Sequence, residues 1–191
     1  MSDVLLETER LILRRLTAQD ADALVELDGD PEVMRFVTGG RPTARAEIEN
    51  EILPALLAYY ERPGGYGFWA AVEKPGGPLL GWFHLRPAPG APPDEPELGY
   101  RLRRSAWGRG YATEGSRALV RRAFAELGAR RVTASATAAN HASRRVMEKA
   151  GLRLVGSFAL ALREPAHGGR DGDTAAVQYA LTRAEWEAAQ G

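Results

Sequence analysis

The segment Arg104-Ser105-Ala106-Trp107-Gly108-Arg109-Gly110-Tyr111-Ala112-Thr113-Glu114 constrains the fold more than any other part of the chain. It stands between two stretches of different periodicity. Before it, residues 97–103 alternate, with Leu98, Tyr100 and Leu102 on one face and Glu97, Gly99, Arg101 and Arg103 on the other. That is the period of a strand. After it, Leu119, Val120, Ala123, Phe124 and Leu127 recur at helical spacing up to Gly128, as in an amphipathic helix with a glycine stop. Two glycines separated by one residue let the backbone turn sharply and leave several N–H groups uncovered by Cβ atoms. With the positive end of a helix behind them, those donors suit a phosphate or pyrophosphate. The same glycines also fit a tight strand-to-helix connection that holds no ligand.

The flanking sequence sets the surroundings of this turn. Residues 4–16 read as one extended segment. Thr17 is a helix N-cap ahead of Ala21, Leu24, Val25 and Leu27, with Gly29 as the stop, and Pro31 opens a short helix through Val37. Behind Thr43, a second cap, Ile48, Ile52, Leu53, Leu56, Leu57 and Tyr60 form one apolar stripe that Pro54 should kink or break. Residues 66–72 and 79–85 read as strands joined at 74–78, and residues 87–96, with five prolines, as a stiff surface loop. Residues 131–137 form a further strand, 140–150 a helix, 152–162 and 175–181 strands, and Thr182 caps a last helix through about Ala189. This order predicts an α/β fold with a mixed sheet rather than repeated βαβ winding. One domain over residues 1–191 is expected.

Charge and composition remove several function classes. Lys+Arg and Asp+Glu both number 25, so the formal net charge is zero. Nucleic acid is not an expected partner, because duplex binding needs a basic face to displace counterions. Arg101, Arg103, Arg104 and Arg109 form a local basic cluster that suits a small polyanion better. The absence of cysteine excludes disulfides, thiolate zinc sites and a Cys nucleophile, and no metal site is expected. Met1-Ser2-Asp3 shows neither a basic n-region nor an apolar h-region, and no apolar run approaches about 18 residues. No membrane partner is expected, and the cytoplasm is the default location.

Known phosphate loops do not match. No Gly-x-x-x-x-Gly-Lys-Ser/Thr string occurs, and a dinucleotide fingerprint from Gly108-x-Gly110 would place Thr113 where Gly or Ala is required. The turn does resemble the pyrophosphate motif of the GNAT N-acetyltransferases, Gln/Arg-x-x-Gly-x-Gly/Ala. Here Gly110-x-Ala112 matches and Trp107 replaces the leading polar residue. The Trp-Gly-Arg-Gly-Tyr-Ala-Thr-Glu string is similar to the subgroup containing ribosomal-protein N-terminal alanine acetyltransferases, as is the Thr8-Glu9-Arg10-Leu11 start. One helix and one strand later, Asn140-His141-Ala142-Ser143 and Glu148-Lys149-Ala150-Gly151-Leu152 resemble the family's Asn-x-x-Ser/Ala and Glu-Lys-x-Gly-Phe block.

The resemblance implies a mostly antiparallel twisted sheet of about six or seven strands with helices on both faces. A central parallel pair, 97–103 beside 131–137, would splay apart. It implies acetyl-CoA as acyl donor, its pantetheine arm pairing with backbone near Leu102 and Arg103. Its pyrophosphate would sit on the N–H groups of Arg109–Thr113, within a cofactor-binding turn made by Arg104, Trp107, Gly108, Arg109, Gly110, Tyr111, Ala112 and Thr113. Asn140 would bond the pantetheine, although Asn is also a favoured N-cap, and Ser143 would approach the sulfur. The resemblance also allows a homodimer.

The chemistry then has named candidates. Without Cys or a Gly-x-Ser-x-Gly elbow, direct attack of a small-molecule or peptide amine in a ternary complex is the simpler route. Glu97 and His84 are the two candidate bases, and each also fits an ordinary structural role. Many family members carry a Tyr seven residues after the motif Asn, where this chain has Met147. Met gives no proton, so Ser143 becomes the candidate acid. A non-catalytic acyl-CoA-binding module is the alternative. Phe36, the 38–42 loop, Tyr66, Trp69 and Trp82 are candidates for an acceptor groove, rimmed by residues 87–96 and 163–173.

Overall fold

The computed structural model describes residues 4–159 and 175–191. β1 (Val4–Glu7) and β2 (Leu11–Arg15) open the chain. The 4–16 segment is therefore a hairpin, which gives eight strands among the described residues in place of six or seven. Thr8 sets the break: its N–H donates to the Leu11 carbonyl and its hydroxyl oxygen accepts the Leu11 N–H, both at 2.9 Å. A side chain that closes its own turn in this way competes with continued extension.

Helices α1 (Ala21–Gly29), α2 (Pro31–Met34) and α3 (Arg45–Glu47) lead to a π turn over Ile48–Ile52 and then α4 (Leu53–Leu57). The disruption expected from Pro54 takes the form of that π turn. The Leu53 N–H reaches back five residues to Ile48, while Pro54 sits in the first turn of α4, where a missing N–H costs least. Thr43 does not cap the next helix; Ala44 holds that position with no side-chain bond.

The remaining order is β3 (Gly67–Glu73), β4 (Leu79–Pro87), β5 (Pro96–Leu102), α5 (Tyr111–Ala125), β6 (Arg131–Thr137), α6 (His141–Lys149), β7 (Arg153–Ala159), β8 (Ala175–Thr182) and α7 (Arg183–Ala188). Of the strand expected over 152–162, residues 160–162 lie outside the described residues. The sheet runs β1-β2-β3-β4-β5-β6-β8-β7 and is antiparallel except between β5 and β6. Both faces are covered. On one, Leu11, Phe83 and Leu98 pack with Leu119, Ala123 and Phe124 of α5. On the other, Leu16, Phe68 and Ala70 pack with Leu24 and Leu27 of α1 and with Ile48. The α5 contact is close: a Cβ on Gly115 would stand 2.4 Å from Phe83 Cζ.

Strand alternation sorts the aromatics. Trp69 is 3% exposed in the α5-side core and is not a groove residue, whereas Trp82 points to the opposite face. Tyr66 also packs against the α5-side core. Among the described residues no helix is long and apolar enough to cross a membrane.

An ion pair fastens α1 to β2. Arg14 donates to both oxygens of Asp20, at 2.7 and 2.9 Å, and the Thr17 N–H donates to the same carboxylate at 2.7 Å. Burial pushes the Asp20 carboxyl up, but the bonds from Arg14 and Thr17 outweigh it and hold the group below its ordinary value. A depressed folded value stabilises the fold above the unfolded value of about 3.9, and the benefit fades as pH falls through the folded one. Asp20→Asn should therefore melt below wild type at neutral pH, with the gap closing below about pH 3.9. A gap in the calorimetric melting temperature that ignored pH would assign the effect to packing alone.

Candidate active site

The parallel pair β5/β6 keeps a single register contact, Glu97 with Thr133, and none further toward Leu102 and Thr137. The Arg103 N–H donates to Leu80 of β4 at 2.8 Å. By alternation, Leu98, Tyr100 and Leu102 direct their backbone groups toward β6 instead. Of the two residues expected to pair with an incoming arm, Arg103 thus has its N–H committed to β4. The Leu102 carbonyl accepts the Trp107 indole N–H at 2.7 Å. Tyr100 is the next position facing the split.

A cavity of about 200 Å³ occupies the split and is lined by Trp82, His84, Glu97, Tyr100, Ser143 and Met147 among others. All three catalytic candidates therefore meet in one place, drawn from β4, β5 and the first turn of α6. His84 gets there by lying across β5 over Gly99, where a Cβ would fall 2.2 Å from Nε2. Its Nδ1 is buried without a hydrogen-bond partner. Burial, reinforced by Arg86 and Arg101, pushes the imidazole down to about 3, so the ring is neutral at physiological pH. Glu97 stands in cross-strand register with Arg86.

The turn that opens α5 is held from outside. Gly108 and Gly110 take φ of 70° and 84°, a region costly for residues with a Cβ. The first helical bond runs from Glu114 N–H to the Gly110 carbonyl, so the N–H groups of Tyr111, Ala112 and Thr113 precede it and have no helical acceptor. Glu114 accepts from the Thr8 hydroxyl at 2.6 Å, the Arg10 N–H at 2.8 Å and Arg10 Nε at 2.7 Å. Arg10 Nη1 in turn donates to the Arg109 carbonyl at 2.8 Å, and the Tyr111 hydroxyl donates to Glu73. The β1–β2 hairpin is thereby tied to the turn.

Each arginine of the basic cluster read from the sequence has a carboxylate partner. Arg101 pairs with Asp28 at 2.6 Å, Arg103 with Glu26 at 3.3 Å, Arg104 with Asp30 at 2.8 Å and Arg109 with Glu73 at 3.0 Å. The carboxylates come from up to 77 positions away in sequence, which is why the cluster looked free. Arg104 and Arg109 each give a single N–H to these pairs and stay more than half exposed, so an anion at this turn would meet the backbone N–H groups together with the guanidinium N–H groups left over.

Asn140 caps α6, its Oδ1 accepting the Ser143 N–H at 3.1 Å, which leaves its amide NH2 for another acceptor. The base of α6 is fixed by Arg144, which donates to the Ala138 carbonyl at 3.1 Å and to the buried Tyr179 hydroxyl at 3.2 Å. The Tyr179 hydroxyl donates to Glu148 at 2.9 Å. Ser143 is joined to Tyr100, whose hydroxyl lies 2.9 Å from Ser143 Oγ. Sequence reasoning gave Tyr100 no chemical role, because alternation reads it only as an inward strand residue. His141 is exposed; His167 and the 163–173 loop lie outside the described residues.

This arrangement has relatives. Residues 10–153 match the acetyltransferase (GNAT) domain family. The chain is 36% identical over 187 residues to the FsC-acetyl coenzyme A-N(2)-transacetylase of Aspergillus fumigatus, spanning 95% of this chain and 77% of that one. It is 30% identical over 152 residues to the uncharacterized N-acetyltransferase YoaA of Bacillus subtilis, spanning 80% and 84%. Two solved structures share the fold. A GNAT acetyltransferase from Bacillus anthracis gives a TM-score of 0.75 at 24% identity, covering 94% of this chain and 99% of that one. An aminoglycoside acetyltransferase in complex with coenzyme A gives 0.73 at 21%, covering 95% and 99%. The chain belongs to the GNAT acetyltransferase family and is an acetyl-CoA-dependent N-acetyltransferase.

Proposed function

We propose that the chain moves an acetyl or other short acyl group from acyl-CoA to a primary amine by direct attack within a ternary complex. The observation that carries this reading is the β5/β6 split. It gathers Ser143, Glu97 and His84 around one cavity, and the uncovered N–H groups of the turn begin the next helix. An extended arm fits the split, since Tyr100 and Leu102 direct backbone groups into it and no strand fills it. Acetyl-CoA supplies the activated acetyl carbon and a thiol leaving group.

The chain's own residues then divide the work. The N–H groups of residues 110–113 hold the pyrophosphate, with Trp107 bracing the strand end below them. Asn140 directs its free amide NH2 at the pantetheine arm. Glu97 takes the amine proton, directly or through water. His84 is too weakly basic to retain that proton near pH 7, so its neutral ring orients the amine. Ser143 protonates the departing sulfur, and proximity supplies much of the remaining rate.

The Trp107-to-Glu114 string favours the ribosomal-type subgroup; a homodimer, which the family resemblance allows, and a cytoplasmic setting are also part of the proposal. The acceptor is an amine of a small molecule or peptide; the A. fumigatus relative's name records transfer to an N(2) nitrogen. Initial velocities with both substrates varied should give intersecting lines. Parallel lines, or an isolable acyl-enzyme, would overturn direct attack. Ser143→Ala should lower turnover by about 10²-fold, the low end for a general acid, with acetyl-CoA affinity little changed. Unaltered turnover removes Ser143 from its role.

A further inference from the structure

Acetyl transfer as described leaves one contact in the cavity unused. Tyr100 departs from β5 where β5 and β6 have separated and crosses to the first turn of α6. Its hydroxyl lies 2.9 Å from Ser143 Oγ and 3.1 Å from the Ser143 carbonyl oxygen. The ring packs against Phe83, centroids 5.9 Å apart. Burial pushes the phenol up to about 12 against the bond to Ser143, which lowers it. Tyr100 therefore keeps its proton throughout the working range. That proton has two acceptors on one residue, and only one of them, Oγ, also carries a proton of its own.

We propose that Tyr100 is a positioning residue that turns the Ser143 hydroxyl proton toward the thioester sulfur. The inference rests on the acetyl-transfer reading above. A serine in the first turn of a helix is otherwise drawn to a nearby backbone carbonyl. Tyr100 changes the balance, because its proton can shift from the Ser143 carbonyl to Oγ as the Ser143 proton turns outward. Met147, 2% exposed and lining the same cavity, has no proton to give.

The step balances. The amine nitrogen bonds to the acetyl carbon, and the carbon–sulfur bond breaks with its electron pair on sulfur. Ser143 Oγ gives its proton to that sulfur. Glu97 takes the surplus amine proton and releases it to solvent, and solvent returns one proton to Ser143. Tyr100 donates a hydrogen bond to Oγ as charge develops there and retains its own proton.

The test compares donors. The purified full chain and its Tyr100→Phe and Ser143→Ala variants are assayed with a productive amine. One donor is acetyl-CoA and the other is S-(4-nitrophenyl) thioacetate, whose arylthiolate leaves without protonation. Tyr100→Phe should lower kcat with acetyl-CoA about tenfold at unchanged acetyl-CoA Kd, less than removal of the acid itself. Neither variant should slow the aryl donor, and the double variant should be no slower than Ser143→Ala. Phe keeps the ring on Phe83, and Ser143→Ala leaves Tyr100 intact, so the donor pattern is read twice. Equal slowing with both donors in either variant, an unaffected Tyr100→Phe, or multiplied defects in the double variant would each overturn the positioning role. A wild type that releases thiol normally while Tyr100→Phe matches it sinks this inference alone. A wild type that releases none with any amine sinks the acetyl-transfer reading, and Tyr100's role with it.

Discussion

Arg101→Met is expected to lose about 3 to 5 kcal/mol of stability, the usual result of removing one partner from a buried ion pair. Arg101 Nη1 meets Asp28 Oδ2 at 2.6 Å, with 3% of the Asp28 side chain exposed. The other carboxylate oxygen, Oδ1, is buried without a partner. Desolvation of Asp28 is thus offset at a single point, and methionine removes that point while keeping an apolar stem. The guanidinium also lies 5.0 Å from the Trp82 ring centroid, so the loss reaches the cavity wall. Adding Asp28→Leu should recover most of the deficit, because a fully apolar replacement leaves no stranded charge. Urea unfolding of the single and double variants measures both effects. A single-variant loss below about 1 kcal/mol would mean that the pair behaves like an exposed one.

Gly110→Val should have the largest effect on donor binding. Gly110 takes φ of 84° at the N-cap of α5, a conformation that costs a β-branched residue on the order of 1 to 3 kcal/mol. Its Cβ would also stand 3.3 Å from Arg10 Nη2, on the guanidinium that braces the Arg109 carbonyl. Both effects act on the row of N–H groups that must receive the pyrophosphate. About 1.4 kcal/mol corresponds to tenfold in affinity, so acetyl-CoA Kd should rise tenfold or more. Isothermal titration reads the change directly. An unchanged Kd in a folded Gly110→Val protein would move the pyrophosphate away from this turn.

Local periodicity and turn chemistry carried much of the fold. The 97–103 alternation, the amphipathic pattern before Gly128 and the Thr182 cap all reappear as elements, because each depends on neighbours within a turn or two. The 4–16 hairpin was hidden because Thr8 closes its turn with one hydroxyl inside a stretch of otherwise extended residues. The π turn before Pro54 was visible only as a disruption of unknown form. In the site, Ser143, Glu97 and His84 were legible by residue type and motif position. Their meeting depends on sheet order, which no local pattern encodes. The acidic partners of the arginine cluster were hidden for the same reason, since they lie on α1, on the loop after it and on β3. Tyr100 was overlooked because its link to Ser143 spans 43 positions and crosses the β5/β6 split.

Amine-dependent thiol release from acetyl-CoA tests acyl transfer most directly. The purified chain is assayed against a panel of amines that includes peptides with free N-termini, and the products are weighed by mass spectrometry. Thiol release should rise and saturate with at least one amine, matched mole for mole by acetylated product. Acetyl-CoA binding with no amine raising thiol release above the buffer rate would contradict it.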